Sequence, residues 1–152
     1  MKAVSKLDLV PLHRPGRKSG QHSYETERTS LDFVVDGKRL SELVRRDVAS
    51  CLGWGVPAHQ LKVVAKLLLR GEPEISPNRC ALYVCPECGD LGCGALTAIV
   101  ERDGDVIVWR DFGWQNNYED KVERDGFSTL GPFHFDASAY EKLLLGASLP
   151  KS

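Results

Sequence analysis

The residues of sharpest chemical character are cysteines. Cys80, Cys85, Cys88 and Cys93 fall in the pattern Cys-x4-Cys-x2-Cys-x4-Cys. Within it, Cys85-Pro-Glu-Cys88-Gly89 has the form of a zinc knuckle. Two thiolates two residues apart on a tight turn can face one tetrahedral ion, and the glycine lets the turn close with N–H groups aimed at sulfur. A structural zinc takes four ligands. Cys85, Cys88 and Cys93 supply three of them; Cys80, His134 or the more distant His59 would supply the fourth. A zinc ribbon carries a second CxxC pair, which this chain lacks.

The same sulfurs permit other chemistry. In a thiol–disulfide reading, Cys85 and Cys88 form the redox pair and Cys93 is the resolving thiol. Thioredoxin-like pairs lie where a strand meets a helix N-terminus, whereas this pair lies between two strands. The Cys-x4-Cys-x2-Cys run also matches part of a plant-type ferredoxin spacing. Against that, Cys80 to Cys85 reads as an apolar strand and not as a cluster-binding loop. The plain alternative is that these thiols only pack a tight turn. Cys51 sits on an apolar stripe and reads as a core thiol. Five cysteines, an odd number, argue against a full disulfide framework.

The elements that must position the cluster follow from hydrophobic period. Residues 1 to 30 are polar and irregular and read as a flexible arm, whose Arg14, Arg17 and Lys18 could touch an acidic partner. Residues 31 to 146 read as a single α+β domain. Leu31 to Val35 is a strand ended by the Asp36-Gly37 turn. A helix is expected from Ser41 as N-cap through Leu52, because Leu40, Leu43, Val44, Val48, Cys51 and Leu52 recur at helical spacing. A second helix is expected from about Ala58 to Arg70, with Leu61, Val64, Ala65 and Leu68 on its inner stripe, the alternative being a buried strand over Lys62 to Leu69. Cys80 to Cys85 is a short strand. Ala95 to Arg102 and Asp105 to Phe112 form a hairpin about an Asp103-Gly104 turn. Gly131 to Phe135 is a further strand. Asp136 then caps a last helix that Gly146 stops, with Tyr140, Leu143 and Leu144 inward. The expected fold is therefore an antiparallel sheet with a central hairpin at about 95–112, packed by two or three helices.

That turn makes facing residues of the hairpin sum to 207. Ala98 then faces Trp109, Leu96 faces Asp111, and Cys93 lies near Trp114. Asp111, Trp114, Asn116 and Tyr118 thus gather at the cysteine end as a candidate partner surface, since exposed tryptophan suits protein binding. Trp109 reads as core. From Glu101 to Asp125 there are eight acidic and four basic residues. The plain reading is a solvated face; the functional one is a patch for a basic partner.

Length and composition narrow the classes. The 152 residues suit one domain, and a net charge of −1 provides no global field for nucleic acid or anionic lipid. No apolar run is long enough to span a membrane, and the first residues lack the apolar core of a signal peptide. A reducing cytosol is the expected compartment. There is no GxGxxG after a strand, no P-loop, no HExxH and no GxSxG.

The stretch Leu82-Tyr-Val-Cys-Pro-Glu-Cys-Gly-Asp-Leu-Gly-Cys-Gly-Ala95, with Val108-Trp-Arg-Asp-Phe-Gly-Trp-Gln-Asn-Asn-Tyr-Glu-Asp120 and Leu130-Gly-Pro-Phe-His-Phe-Asp136, resembles a family of small bacterial proteins common in actinobacteria. The resemblance covers most of residues 31 to 146. It implies a bacterial cytosolic origin and a single domain. Some members carry the label oxidoreductase, which only the cysteines could justify. The functional expectation is a small cytosolic binding protein with a protein partner, its cysteine turn held by zinc or by packing, in one version a toxin-neutralising immunity-type protein. The alternative is a thiol–disulfide oxidoreductase using the CPEC motif. A metal-dependent nucleic-acid module is disfavoured by the acidic balance.

Overall fold

Within the stretch expected to be an irregular arm, residues 7–14 form a paired strand. The computed structural model describes residues 4–14, 17–19, 23–25, 28–44, 48–53, 57–70, 79–84, 94–115 and 122–148. β1 (Leu7–Arg14) pairs antiparallel with β4 (Arg28–Val35), Leu7 opposite Val35 and Arg14 opposite Arg28. β2 (Arg17–Ser19) and β3 (Ser23–Glu25) continue the same register, with Arg17 opposite Glu25. The reason lies in a short period-2 pattern. Leu7 and Leu9 pack against the core beside Leu31, Phe33 and Val35 of the partner strand. Pro11 is accommodated because β1 is an edge strand of its sheet.

Asp36 and Gly37 both take positive φ, 52° and 83°, as a type I′ turn requires, and return the chain into β5 (Lys38–Arg39). The helix expected from Ser41 to Leu52 is only α1 (Leu40–Val44), and β6 (Ala49–Ser50) follows. Ser41 does not cap a helix; its hydroxyl donates to Asp32 Oδ2 at 2.5 Å. Val48, Cys51 and Leu52 are buried as expected, but as extended chain pairing with the sheet: the Cys51 N–H donates to the Leu82 carbonyl at 3.0 Å. α2 (Pro57–Leu67) forms as expected, rotated so that Val63, Val64 and Leu67 face inward and Leu61 is 55% exposed.

β7 (Arg79–Val84), β8 (Ala95–Asp103), β9 (Val106–Gln115) and β10 (Phe133–Asp136) complete a five-stranded sheet in the order β10-β9-β8-β7-β6. The turn of the central hairpin is Gly104-Asp105, one residue later than expected, so Val100 faces Trp109; a bulge further along shifts the pairing by one more, and Leu96 faces Trp114. Gly104 at φ 63° takes the first turn position, the arrangement of a type II′ hairpin. Up to the bulge the slip moves partners by two, so each side chain there keeps its face. α3 (Ala137–Ser148) begins with Asp136 Oδ2 accepting the Ala139 N–H at 2.9 Å, the expected cap, and runs past Gly146.

The sheet β1-β4-β5 and the five-stranded sheet curl toward each other as a half-barrel. At one margin the Ser5 N–H donates to the His134 carbonyl at 2.6 Å; at the other the Leu31 N–H donates to the Leu52 carbonyl at 2.9 Å. Between the sheets lies an aromatic core. Trp109 is fully buried, with Phe33, Phe135 and Tyr140 edge-on at 5.2, 5.0 and 6.0 Å. Its indole N–H donates to the Tyr140 hydroxyl at 3.2 Å, and that hydroxyl donates to the Leu67 carbonyl at 2.7 Å, tying β9, α3 and α2 together. Asp32 is fully buried on β4. It accepts from the Tyr83 hydroxyl, from Ser41 and, at 3.4 Å, from Arg39. Burial and the Asp32 charge hold the Tyr83 hydroxyl in its protonated, donating form.

Tyr83→Phe keeps the ring and removes one donor from a buried carboxylate. It should cost about 1–3 kcal/mol, seen as a lower urea midpoint with an unchanged slope of free energy on denaturant.

Candidate binding cleft

Arg79 opens a strand whose residues are all buried, and its own side chain is only 3% exposed. A guanidinium removed from water must find acceptors in the protein. Its Nε donates to Gln115 Oε1 at 2.8 Å and to Thr97 Oγ1 at 3.1 Å. One terminal nitrogen donates to Asp111 Oδ2 at 3.0 Å, and the other to the Asp111 carbonyl at 2.6 Å. Thr97 in turn donates to Gln115 Oε1 at 2.7 Å. Three strands are thereby joined across one face of the sheet.

The acceptor geometry depends on a β-bulge. Thr97 faces Gly113 and Ile99 faces Arg110, which leaves Ala98 opposite both Asp111 and Phe112. Asp111 sits there at φ 54°, a left-handed conformation that aspartate tolerates better than most side chains. Arg124 closes the outer side, its Nε 2.6 Å from Asp111 Oδ1 and a terminal nitrogen 2.9 Å from Oδ2. The Arg124 hydrogen bonds, reinforced by the charges of Arg124 and Arg79, bring the Asp111 carboxyl down from 3.8 to about 2, against partial burial.

Arg124 belongs to a segment pinned across β9. Trp114 and Glu123 exchange backbone hydrogen bonds at 2.8 and 2.9 Å. Gly113 permits that approach, since a Cβ there would lie 2.3 Å from Val122. At the far end Gly131, at φ 74°, lies against Phe112, where a Cβ would be 2.7 Å from the ring. Between these anchors the N–H of Phe127 bonds the Arg124 carbonyl, and that of Leu130 the Phe127 carbonyl.

This segment is one wall of a cleft of about 740 Å³. It contributes Asp125, Phe127, Thr129, Leu130 and Phe133, and the opposite wall contributes Val35, Asp36, Lys38, Leu43 and Val44. Val35, Val44 and Phe127 are buried at the floor, whereas Asp36, Lys38, Asp125 and Thr129 are exposed at the rim. Leu43 is 43% exposed beside them. The volume lies in the range of ligand-binding clefts.

Several residues singled out from the sequence take different places. Cys85, Cys88, Cys93, Asn116 and Tyr118 lie outside the described residues, and no side-chain position is described for His59. Cys80 is a core thiol, 3% exposed, its sulfur 3.7 Å from the Lys66 carbonyl under α2. His134 faces Val108, near the Gly104-Asp105 turn, whereas Val84 and Ala95 pair with one another beside Gln115. At about 3.3 Å per residue, Val108 and Gln115 are roughly 20 Å apart along β9. Among the described residues no three His, Cys, Asp or Glu side chains gather as a metal cage. Asp111 does not face Leu96 as expected; it is the bulge residue between two arginines. Trp114 is partly buried, and its indole lies over Gly94, where a Cβ would come within 2.2 Å of Nε1. Arg79, Thr97, Gln115 and Arg124 were not singled out from the sequence. The available signal was Arg79 itself, a charge at the head of an otherwise apolar strand. Compared with protein-family models, with curated proteins and with solved structures, the chain finds no match.

A carboxyl group whose pKa is lowered on folding stabilises the fold above its unfolded pKa, and that stability is lost as pH falls through the folded value. For Asp111 the window runs from 3.8 down to about 2. The stability gap between wild type and Asp111→Asn should be constant from neutral pH to about pH 5 and close across that window, as read by urea midpoints at stepped pH.

Proposed function

We propose that this chain is a non-enzymatic binding domain that engages a protein partner through the cleft between residues 35–44 and 125–133. The observation that carries this reading is the cleft itself, about 740 Å³ with an apolar floor and a polar rim. Its second wall is anchored at Asp111, where Arg79 and Arg124 meet. The polar groups of the rim stand on opposite walls at the surface. That layout suits an interface, with an apolar centre and a wet margin, better than the converging polar groups of a small-molecule site. Asp111 is ionised at neutral pH and doubly paired, so it serves as a strut and not as a base. The partner surface expected at Asp111, Trp114, Asn116 and Tyr118 is thereby replaced in this proposal by the cleft that Asp111 helps to hold.

Leu43 tests the reading, since its exposure makes a polar substitution mild for the fold. Capture of partner from a lysate of the source cells should fall about tenfold for Leu43→Asp, the loss expected of a contact worth about 1.4 kcal/mol. The melting temperature should stay close to that of wild type. Equal capture by wild type and variant overturns the cleft as the binding site.

A further inference from the structure

The charges at the rim of the cleft are unequal, and their pairing shows which one remains for a partner. Asp36 is engaged within the fold. Its Oδ1 accepts the Lys6 N–H at 2.8 Å, and its carboxyl is pushed down first by that bond, then by Ser5 and by the nearby positive charge of Lys38. Lys38, on the same wall, is near enough for its charge to favour the ionised Asp36. On the facing wall Asp125 is exposed, and among the described residues no cation lies within ion-pairing distance of it. Among the described lining residues, Asp125 is therefore the charge on the 125–133 side that no cation accompanies. The same wall carries Phe127, Leu130 and Phe133, and Leu43 is exposed on the other wall. A carboxylate sharing a wall with aromatic and aliphatic side chains complements a chain that carries a cation next to a large apolar side chain.

Resting on the reading above, we infer that the cleft receives an extended peptide segment of the partner, with a large apolar side chain on the Phe127–Phe133 floor and a neighbouring Lys or Arg paired to Asp125. The apolar side chain supplies most of the affinity by leaving water. The exposed ion pair supplies orientation and discrimination against acidic segments more than strength. The long-stemmed cation can lie along Leu43 while its charge stays at the rim.

The experiment uses the full chain as bait and a displayed library of random heptapeptides as probe. The expected result is enrichment of peptides with Lys or Arg next to Leu, Ile, Met or an aromatic residue. A synthetic peptide of the enriched sequence should bind at least fivefold more weakly to Asp125→Lys, and its affinity for wild type should fall as salt rises. Amide shifts on binding should centre on residues 35–44 and 125–133. Asp125 is exposed and has no ion pair among the described residues, so the variant should fold, and its thermal melt verifies this. Enriched peptides that are apolar with Asp or Glu, and that still compete with one another at the cleft, overturn this inference while leaving the binding reading standing. Affinity for the basic peptide unchanged in Asp125→Lys has the same consequence. Displacement of the peptide by n-octylammonium at an equal concentration overturns a peptide occupant in favour of a small amphipathic amine. Failure to enrich any sequence overturns both.

Discussion

A guanidinium buried at the head of β7 has to be given acceptors, and the outer face of the sheet is organised around supplying them. Arg79 lies where β7, β8 and β9 run side by side, and it draws one group or more from each neighbour. Left unpaired, such a charge would cost several kcal/mol; hydrogen-bonded to Thr97, Gln115 and Asp111, it becomes a cross-strand clamp. The bulge at Asp111 is part of this arrangement. A regular ladder would place Asp111 directly opposite a β8 residue, whereas its left-handed conformation offers Arg79 both the carboxylate and the backbone carbonyl. The clamp therefore selects the bulge, and the bulge determines the register of everything from Phe112 to Gln115.

The other side of the sheet follows a different rule. There Trp109, Phe33, Phe135 and Tyr140 meet edge to face, and the polar ends of Trp109 and Tyr140 are passed to the Leu67 carbonyl at the end of α2. Asp32 performs the equivalent task between the two sheets, with Tyr83 from one, Arg39 from the other and Ser41 from α1. Apolar burial provides the bulk of the drive to fold. The few buried polar groups decide which packing satisfies them all, and no buried side-chain nitrogen or oxygen lacks a partner among the described residues.

The cleft is a consequence of these two arrangements meeting. Its first wall is the type I′ turn and α1 that follow β4, set by the inter-sheet packing. Its second wall is the 122–133 segment, drawn onto β9 through Arg124 and through the close approaches at Gly113 and Gly131. A gap persists because each wall is held by its own anchors and neither needs the other to complete its hydrogen bonds.

Much of the secondary structure is local and was legible. The β7 strand, the central hairpin, α2 and the Asp136 cap follow from period, turn residues and capping chemistry, all of which act within a few positions. The α+β class follows from the same signals. What was not legible depends on partners distant in sequence. Val48, Cys51 and Leu52 fit a helical stripe as well as they fit a strand, and only the backbone of β7 decides for the strand. Leu7 and Leu9 look like isolated leucines until β4 is laid beside them. The hairpin slips by two because of where the turn glycine sits, and no alternation pattern distinguishes registers that keep the same face. The opening cysteines show the same division. Sequence spacing brings Cys85, Cys88 and Cys93 together as a motif, whereas only the fold turns Cys80 into the core beneath α2 and sets His134 opposite Val108. The sequence by itself determined where strands and helices are favoured and which charges had to be explained. Only the tertiary structure decided that Arg79, Asp111 and Arg124 answer one another, because a buried charge specifies that it needs a partner but not which one.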